Sequence, residues 1–190
     1  MRFILTCIAL TRALASPAFA HTGVGQINSF AAGIAHPLHG ADHVLAMVAV
    51  GLWAVLVGGR AIWLWPMTFV ATMLAGFAAA TLGLQMAFVE PAISSSIITL
   101  GLFVALAVKA PVWRGAAITS LFAFFHGHSH GSEATAVSLL PYAAGFALAT
   151  AGLHAAGIGL GRFARGSSGK VALRALGGVA VLGGTFWIVG

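Results

Sequence analysis

Apolar residues run along most of this chain in long stretches, and polar residues are confined to the short breaks between them. A helix needs about 20 mostly apolar residues to cross a bilayer, and six such stretches follow the first 20 residues. They cover residues 38–58, 62–84, 91–109, 112–132, 136–160 and 171–189. The breaks hold glycines, prolines and charged residues, which commonly interrupt helices. The pattern therefore predicts one domain of six transmembrane helices over residues 21–190.

The first 20 residues, MRFILTCIALTRALASPAFA, have the layout of a cleavable secretory signal. A basic start and a short apolar run lead to the small-x-small sequence AFA at 18–20. Arg12 interrupts the apolar run, so an uncleaved first helix is the alternative interpretation. Cleavage after Ala20 would make His21 the N-terminal residue, whose amine and imidazole can chelate one metal ion. Cys7 is the single cysteine, so the mature chain would have no thiolate ligand and no disulfide.

Composition agrees with a membrane protein and argues against other classes. The chain is 60% hydrophobic and 6% charged, with a mean hydropathy of +1.03, whereas soluble domains have about 25% charged residues. Its net charge of +6 comes from nine scattered basic residues, which do not form the clustered face that binds nucleic acid. We expect an all-α membrane bundle whose partner is the lipid bilayer, and a homo-oligomer is left open. The 25 glycines predict closely packed helices.

The positions of the basic residues predict the orientation of the bundle. If the mature chain starts outside the cytoplasm, the cytoplasmic connections lie around Arg60, around Lys109 and Arg114, and within 162–174. All basic residues of the mature chain fall in these connections, as the positive-inside rule requires. The chain is therefore expected to be a multi-pass membrane protein whose mature N-terminus lies outside the cytoplasm. Seven of the eight histidines and all three acidic residues then lie at the outer face.

The sequence 125-FHGHSHGSE-133 places polar groups at the end of an apolar helix. His126, His130 and Glu133 are four and three residues apart, so they share one helix face. His128 points about 160° away from that face, because successive residues turn by ~100°.

The sequence 36-HPLHGADH-43 has the same character at the first predicted helix. His36, His39 and His43 are three and four residues apart, and Asp42 lies beside them. Pro37 suits the first turn of a helix, where its missing N–H costs nothing. We therefore expect His36 at the start of the first membrane helix.

Imidazole and carboxylate groups suit Ni, Co, Zn, Cu(II) and Fe(II) ions, and ionisable residues in membranes usually mark a functional site. We predict a metal site at the outer face, with no prosthetic group and no catalytic residues. Its ligands are His36, Asp42, His43, His126, His130 and Glu133. Three histidines are secondary candidates: His21 as a capturing ligand, and His39 and His128 as extra outer ligands or solvated loop residues. His154, toward the inner end of the fifth helix, is expected to hydrogen-bond a neighbour.

The two clusters together resemble the HupE/UreJ family of bacterial membrane proteins. That family has a His-Pro followed by an Asp-His pair, and later Phe-His-Gly-x-x-His-Gly-x-Glu. The matching residues are His36, Asp42, His43, His126, His130 and Glu133, and the resemblance covers the whole mature chain. It implies a secondary permease, not an enzyme, that carries Ni²⁺ into the cytoplasm, with Co²⁺ as a second candidate. His39 and His128 are not part of the pattern.

The residue types leave two other functions open. Two histidines and a carboxylate can hold zinc with an open position for water, and Glu133 or Asp42 would then serve as the base of an intramembrane hydrolase. A metal-binding accessory protein would bind ions without transporting them. For a permease, hydroxyl side chains in the helices are candidates for lining the path: Thr68, Thr72, Ser94, Ser95 and Thr119.

Overall fold

A computed structural model describes residues 29–134, 139–164 and 166–189 of the chain, and side chains as far as residue 186. All regular elements in these ranges are α-helices, which confirms the all-α prediction. They are α1 (Phe30–His39), α2 (Ala41–Val57), α3 (Ala61–Thr81), α4 (Val89–Ala105), α5 (Val112–Glu133), α6 (Leu139–Phe163) and α7 (Gly166–Val189). The predicted signal sequence and His21 lie outside the described residues.

Within the described ranges, two or three helical units meet the length and apolarity needed to cross a membrane. Helices α3 and α6 each qualify alone, α1 and α2 qualify as a bent pair, and α4 is a shorter apolar helix of 17 residues. Six spans therefore remain a prediction. Mid-helix leucines such as Leu121, Leu148 and Leu182 are 59%, 58% and 71% exposed. An exposed apolar surface of this kind indicates a membrane protein.

The prediction of one continuous helix over 38–58 is wrong at its start. The chain breaks at Gly40, and α1 meets α2 at a bend of 87°. Pro37 is therefore near the end of α1, and not in the first turn of the long helix. Helix α1 instead begins at Phe30 and is capped by Ser29, whose Oγ accepts a hydrogen bond from the Ala32 N–H at 3.0 Å. A Cβ at position 40 would lie 2.7 Å from Asp42 Oδ1, so glycine leaves room for that carboxylate.

Glycines let the helix backbones touch, as predicted. Helix α2 packs against α6 where a Cβ on Gly51 would lie 2.3 Å from the His154 carbonyl oxygen, and Gly157 faces it in return. Helix α5 packs against α3 even more closely, since a Cβ on Gly127 would lie 1.8 Å from the Met73 carbonyl oxygen. Close backbone approach of this kind is a main source of packing in membrane helices. It also sets the spacing between the polar groups described below.

The two ends of the bundle differ in chemistry. We call the end where α1, the start of α2 and the end of α5 meet the histidine end. At the opposite, tryptophan end, the rings of Trp53 and Trp65 lie 4.3 Å apart. Their indole N–H groups donate to the carbonyl oxygens of Val108 and Val112 at 2.9 and 2.7 Å. These bonds tie α2 to the connection between α4 and α5, and α3 to the first residue of α5.

Basic side chains cap helices at the tryptophan end. The Lys109 ammonium donates to the carbonyl oxygen of Leu56 near the end of α2. Arg174 Nε donates to the carbonyl oxygen of Ala105 at the end of α4, at 2.7 Å. Helix C-termini carry partial negative charge, so cations are stabilised there.

Candidate metal site

Imidazoles from three helices converge at the histidine end. His130 Nε2 on α5 lies 2.6 Å from His43 Nε2 on α2. The ring of His36, on α1, stands edge-on to that of His130 with their centroids 4.6 Å apart. His126, one turn deeper on α5, lies 4.8 Å from the His43 ring in the same edge-on manner. Two clusters that are far apart in the sequence therefore form one site.

Two carboxylates flank these imidazoles. Glu133 Oε2 lies 3.8 Å from His36 Nε2, and Asp42 Oδ1 lies 3.2 Å from His43 Nδ1. One ligand atom each from His36, His130 and Glu133 lie within 4.8 Å of one another, so these three residues can hold a metal ion. A histidine whose second nitrogen donates to a carboxylate is a common arrangement for metal ligands. Asp42 therefore turns the Nε2 of His43 toward His130.

Glu133, His130 and His126 form a stripe along α5, and burial increases along this stripe from the surface into the bundle. The side chains of Glu133 and His36 are about a third exposed, at 35% and 30%. His130 and His126 are buried. The Glu133 carboxylate is therefore accessible to a hydrated ion, and the imidazoles of His130 and His126 lie deeper in the bundle.

Ser96 on α4 fixes the orientation of the deepest member of this stripe. The Ser96 hydroxyl donates to the Ile93 carbonyl oxygen at 2.6 Å, and its oxygen lies 2.9 Å from His126 Nε2. The hydroxyl hydrogen is therefore used, and His126 must donate from Nε2. That leaves a lone pair on Nδ1, which has no hydrogen-bond partner among the described residues.

Sequence reasoning missed Ser96 and named its neighbours Ser94 and Ser95 instead. The signal was available, because Ser96 lies three residues after Ile93 and four before Leu100, on the buried face of α4.

Two of the secondary candidates lie apart from this convergence. His39 is exposed at the end of α1, where its Nδ1 donates to the Ala35 carbonyl oxygen at 2.7 Å. The break after it removes the predicted shared face with His43, which lies on the next helix. His128 is buried and its Nε2 donates to the Leu84 carbonyl oxygen at 2.7 Å, so its interpretation as a solvated loop residue is wrong.

Helical membrane architecture and a histidine–carboxylate cluster define a class: membrane proteins with a candidate transition-metal site. The family model described as HupE / UreJ protein matches residues 8–187. The chain is 43% identical over 180 residues to Protein HupE of Rhizobium leguminosarum bv. viciae, covering 94% of each protein. No solved structure matches the chain. The chain belongs to the HupE/UreJ family, which is associated with metal transport.

Proposed function

We propose that this protein is a secondary permease that carries Ni²⁺, with Co²⁺ as a second candidate, from the periplasm into the cytoplasm. The observation that carries the proposal is the convergence of four imidazoles and two carboxylates at one end of an apolar helical bundle. Family membership supports it. The ion is the substrate, and no prosthetic group takes part.

In this proposal the histidine end faces the periplasm. The tryptophan end faces the cytoplasm, because the basic residues that gather there follow the positive-inside rule. The protein then lies in the inner membrane with its mature N-terminus outside. Removal of residues 1–20 would leave His21 on the same side as the cluster, where it would capture ions for the site.

Capture begins at the most exposed ligands. Glu133 and His36 each retain enough exposure to replace water molecules of a hydrated ion one at a time. The carboxylate also lowers the cost of bringing a dication to the membrane surface, since the two charges attract.

The next step displaces a hydrogen. His43 Nδ1 donates to Asp42, so the hydrogen between the two Nε2 atoms at 2.6 Å belongs to His130. Two nitrogens bound to one ion at about 2.1 Å stand roughly 3 Å apart when they meet at a right angle. The rings must therefore separate by only about 0.4 Å for an ion to take the place of the hydrogen. When the ion binds His130 Nε2, that hydrogen moves to the other ring nitrogen, Nδ1, so the imidazole stays neutral as a metal ligand requires.

Uptake of radioactive Ni²⁺ into proteoliposomes tests the proposal, with Co²⁺ and Zn²⁺ as competitors. We expect uptake by the wild-type protein and its loss in His130→Ala, while His39→Ala, which alters an exposed histidine outside the cluster, transports normally. Equal uptake by all three proteins would show that the histidine–carboxylate cluster is not part of the transport pathway. Ion binding in detergent without any uptake would favour the accessory protein, and metal-dependent cleavage of a peptide or lipid would favour the hydrolase.

A further inference from the structure

His154 is a buried histidine that belongs to neither sequence cluster. It is 1% exposed, and its Nδ1 lies 2.8 Å from the Met47 carbonyl oxygen, so the expected hydrogen bond to a neighbour is confirmed. Met47 is one turn along α2 from His43. His154 therefore lies on the inner side of the histidine cluster, about one helical turn deeper in the bundle than His43.

The hydrogen bond determines which nitrogen of His154 carries the hydrogen. A carbonyl oxygen only accepts, so Nδ1 donates, and Nε2 of the neutral ring holds a lone pair. That lone pair has no hydrogen-bond partner among the described residues. A buried polar atom without a partner is costly and calls for an explanation. A histidine that donates one N–H to a backbone carbonyl and leaves the other nitrogen free has the usual arrangement of a metal ligand.

Two further groups that can bind a metal ion, the Thr150 hydroxyl and the Met73 thioether, lie one turn closer to the histidine end. Thr150 is four residues before His154 on α6, and its hydroxyl lies 3.6 Å from the Met73 sulfur on α3. Both Thr150 and Met73 are fully buried. Phe69, one turn from Met73 on α3, contacts the ring of His154 at 4.9 Å and that of His126 at 5.9 Å. The Phe69 ring thus lies against both the deepest imidazole of the cluster and His154.

We propose that His154 Nε2, together with Met73 and Thr150, forms a second binding position for the divalent ion at the inner edge of the histidine–carboxylate cluster, where Phe69 contacts both His126 and His154. This inference rests on the proposed permease function. Imidazole, thioether and hydroxyl are all neutral donors, so the inner position binds a dication more weakly than the cluster with its two carboxylates. A weaker second position lets the ion leave the first site and still be held inside the bundle.

The variant His154→Asn tests whether His154 is a metal ligand or has only a structural role. Asparagine keeps an N–H donor near the position of Nδ1, which preserves the bond to Met47, and removes the ring nitrogen Nε2. Full-length protein in detergent is titrated with Co²⁺, and bound ions are counted by equilibrium dialysis and visible absorption. We expect a tight and a weak ion in the wild type, and loss of the weak ion alone in His154→Asn. His39→Asn is the matched control and keeps both ions.

Transport supplies the second measurement. Loss of a ligand should slow Ni²⁺ uptake at least tenfold, since even outer-shell partners of ligands are worth about 10- to 100-fold. Met73→Leu keeps the side-chain volume and should also weaken the second ion, which keeps the proposal testable where His154→Asn fails to fold. A second ion that persists at wild-type strength in both variants overturns the inner position, and so does a second ion lost in His39→Asn.

The two proposals fail in different ways. If the wild type binds two ions but takes up no Ni²⁺, the permease function is wrong and the inner position stands. If His154→Asn and Met73→Leu transport at the wild-type rate, the inner position is wrong and the permease function stands.

Discussion

The contact between Gly127 and α3 offers a direct test of how packing positions the metal site. In Gly127→Ala the new Cβ would lie 1.8 Å from the Met73 carbonyl oxygen and 2.6 Å from its carbon. Non-bonded heavy atoms pack at about 3.5 Å, and the obstacle is backbone, so α5 must retreat from α3 by roughly 1.5 Å. Overpacking of this kind typically costs about 1–3 kcal/mol.

The same displacement disturbs the site, because Gly127 adjoins His126 and lies three residues from His130. Their contacts with Ser96 and His43 are 2.9 and 2.6 Å long, and a shift of about 1.5 Å carries them out of hydrogen-bonding range. We expect the Ni²⁺ affinity to fall at least tenfold, in the range seen when ligand support is lost.

The assay combines thermal unfolding in detergent with equilibrium binding of Ni²⁺. The matched control is Gly152→Ala on α6, where no atom lies within 4 Å of the added Cβ. That change should leave Ni²⁺ affinity intact and raise stability by up to about 1 kcal/mol, because alanine is the better helix former. The reasoning is refuted if Gly127→Ala unfolds at the wild-type temperature and binds Ni²⁺ with wild-type affinity.

Two further substitutions probe single hydrogen bonds. Ser96→Ala removes the partner of His126 Nε2 and should weaken Ni²⁺ binding about tenfold, whereas Ser95→Ala, on the exposed face of α4, should not change it; equal isotherms for the two variants would contradict the assigned role. Trp65→Phe removes the indole N–H that donates to Val112 and should lower the free energy of unfolding by about 1 kcal/mol. Ni²⁺ affinity should stay unchanged, and a loss of binding there would show that the tryptophan end supports the site directly.

Local patterns were sufficient to predict the helices and part of the site. Apolar runs predict the helices because backbone groups in lipid must be satisfied within the segment. The stripe of His126, His130 and Glu133 follows from the helical period alone. Both features depend on near neighbours in the chain, so they can be deduced without knowing the tertiary structure.

The break at Gly40 could not be deduced in this way. A glycine inside an apolar run is compatible with a continuous membrane helix. Helix α1 turns away by 87° because it packs on α6, where Gly33 meets the Tyr142 backbone and Gly145 meets Phe30. That bend separates His39 from the cluster and brings His36 to Glu133.

The sequence by itself determined that this is an all-helical, lipid-facing chain with two histidine clusters. Only the tertiary structure decided that those clusters meet, that Ser96 supports His126, and that the lone pair of His154 Nε2 has no hydrogen-bond partner among the described residues. The physical reason is that a hydrogen-bond partner from another helix sets which nitrogen of an imidazole is protonated. Such partners, here Ser96 and the Met47 carbonyl, lie 30 and 107 residues away along the chain, beyond any local pattern.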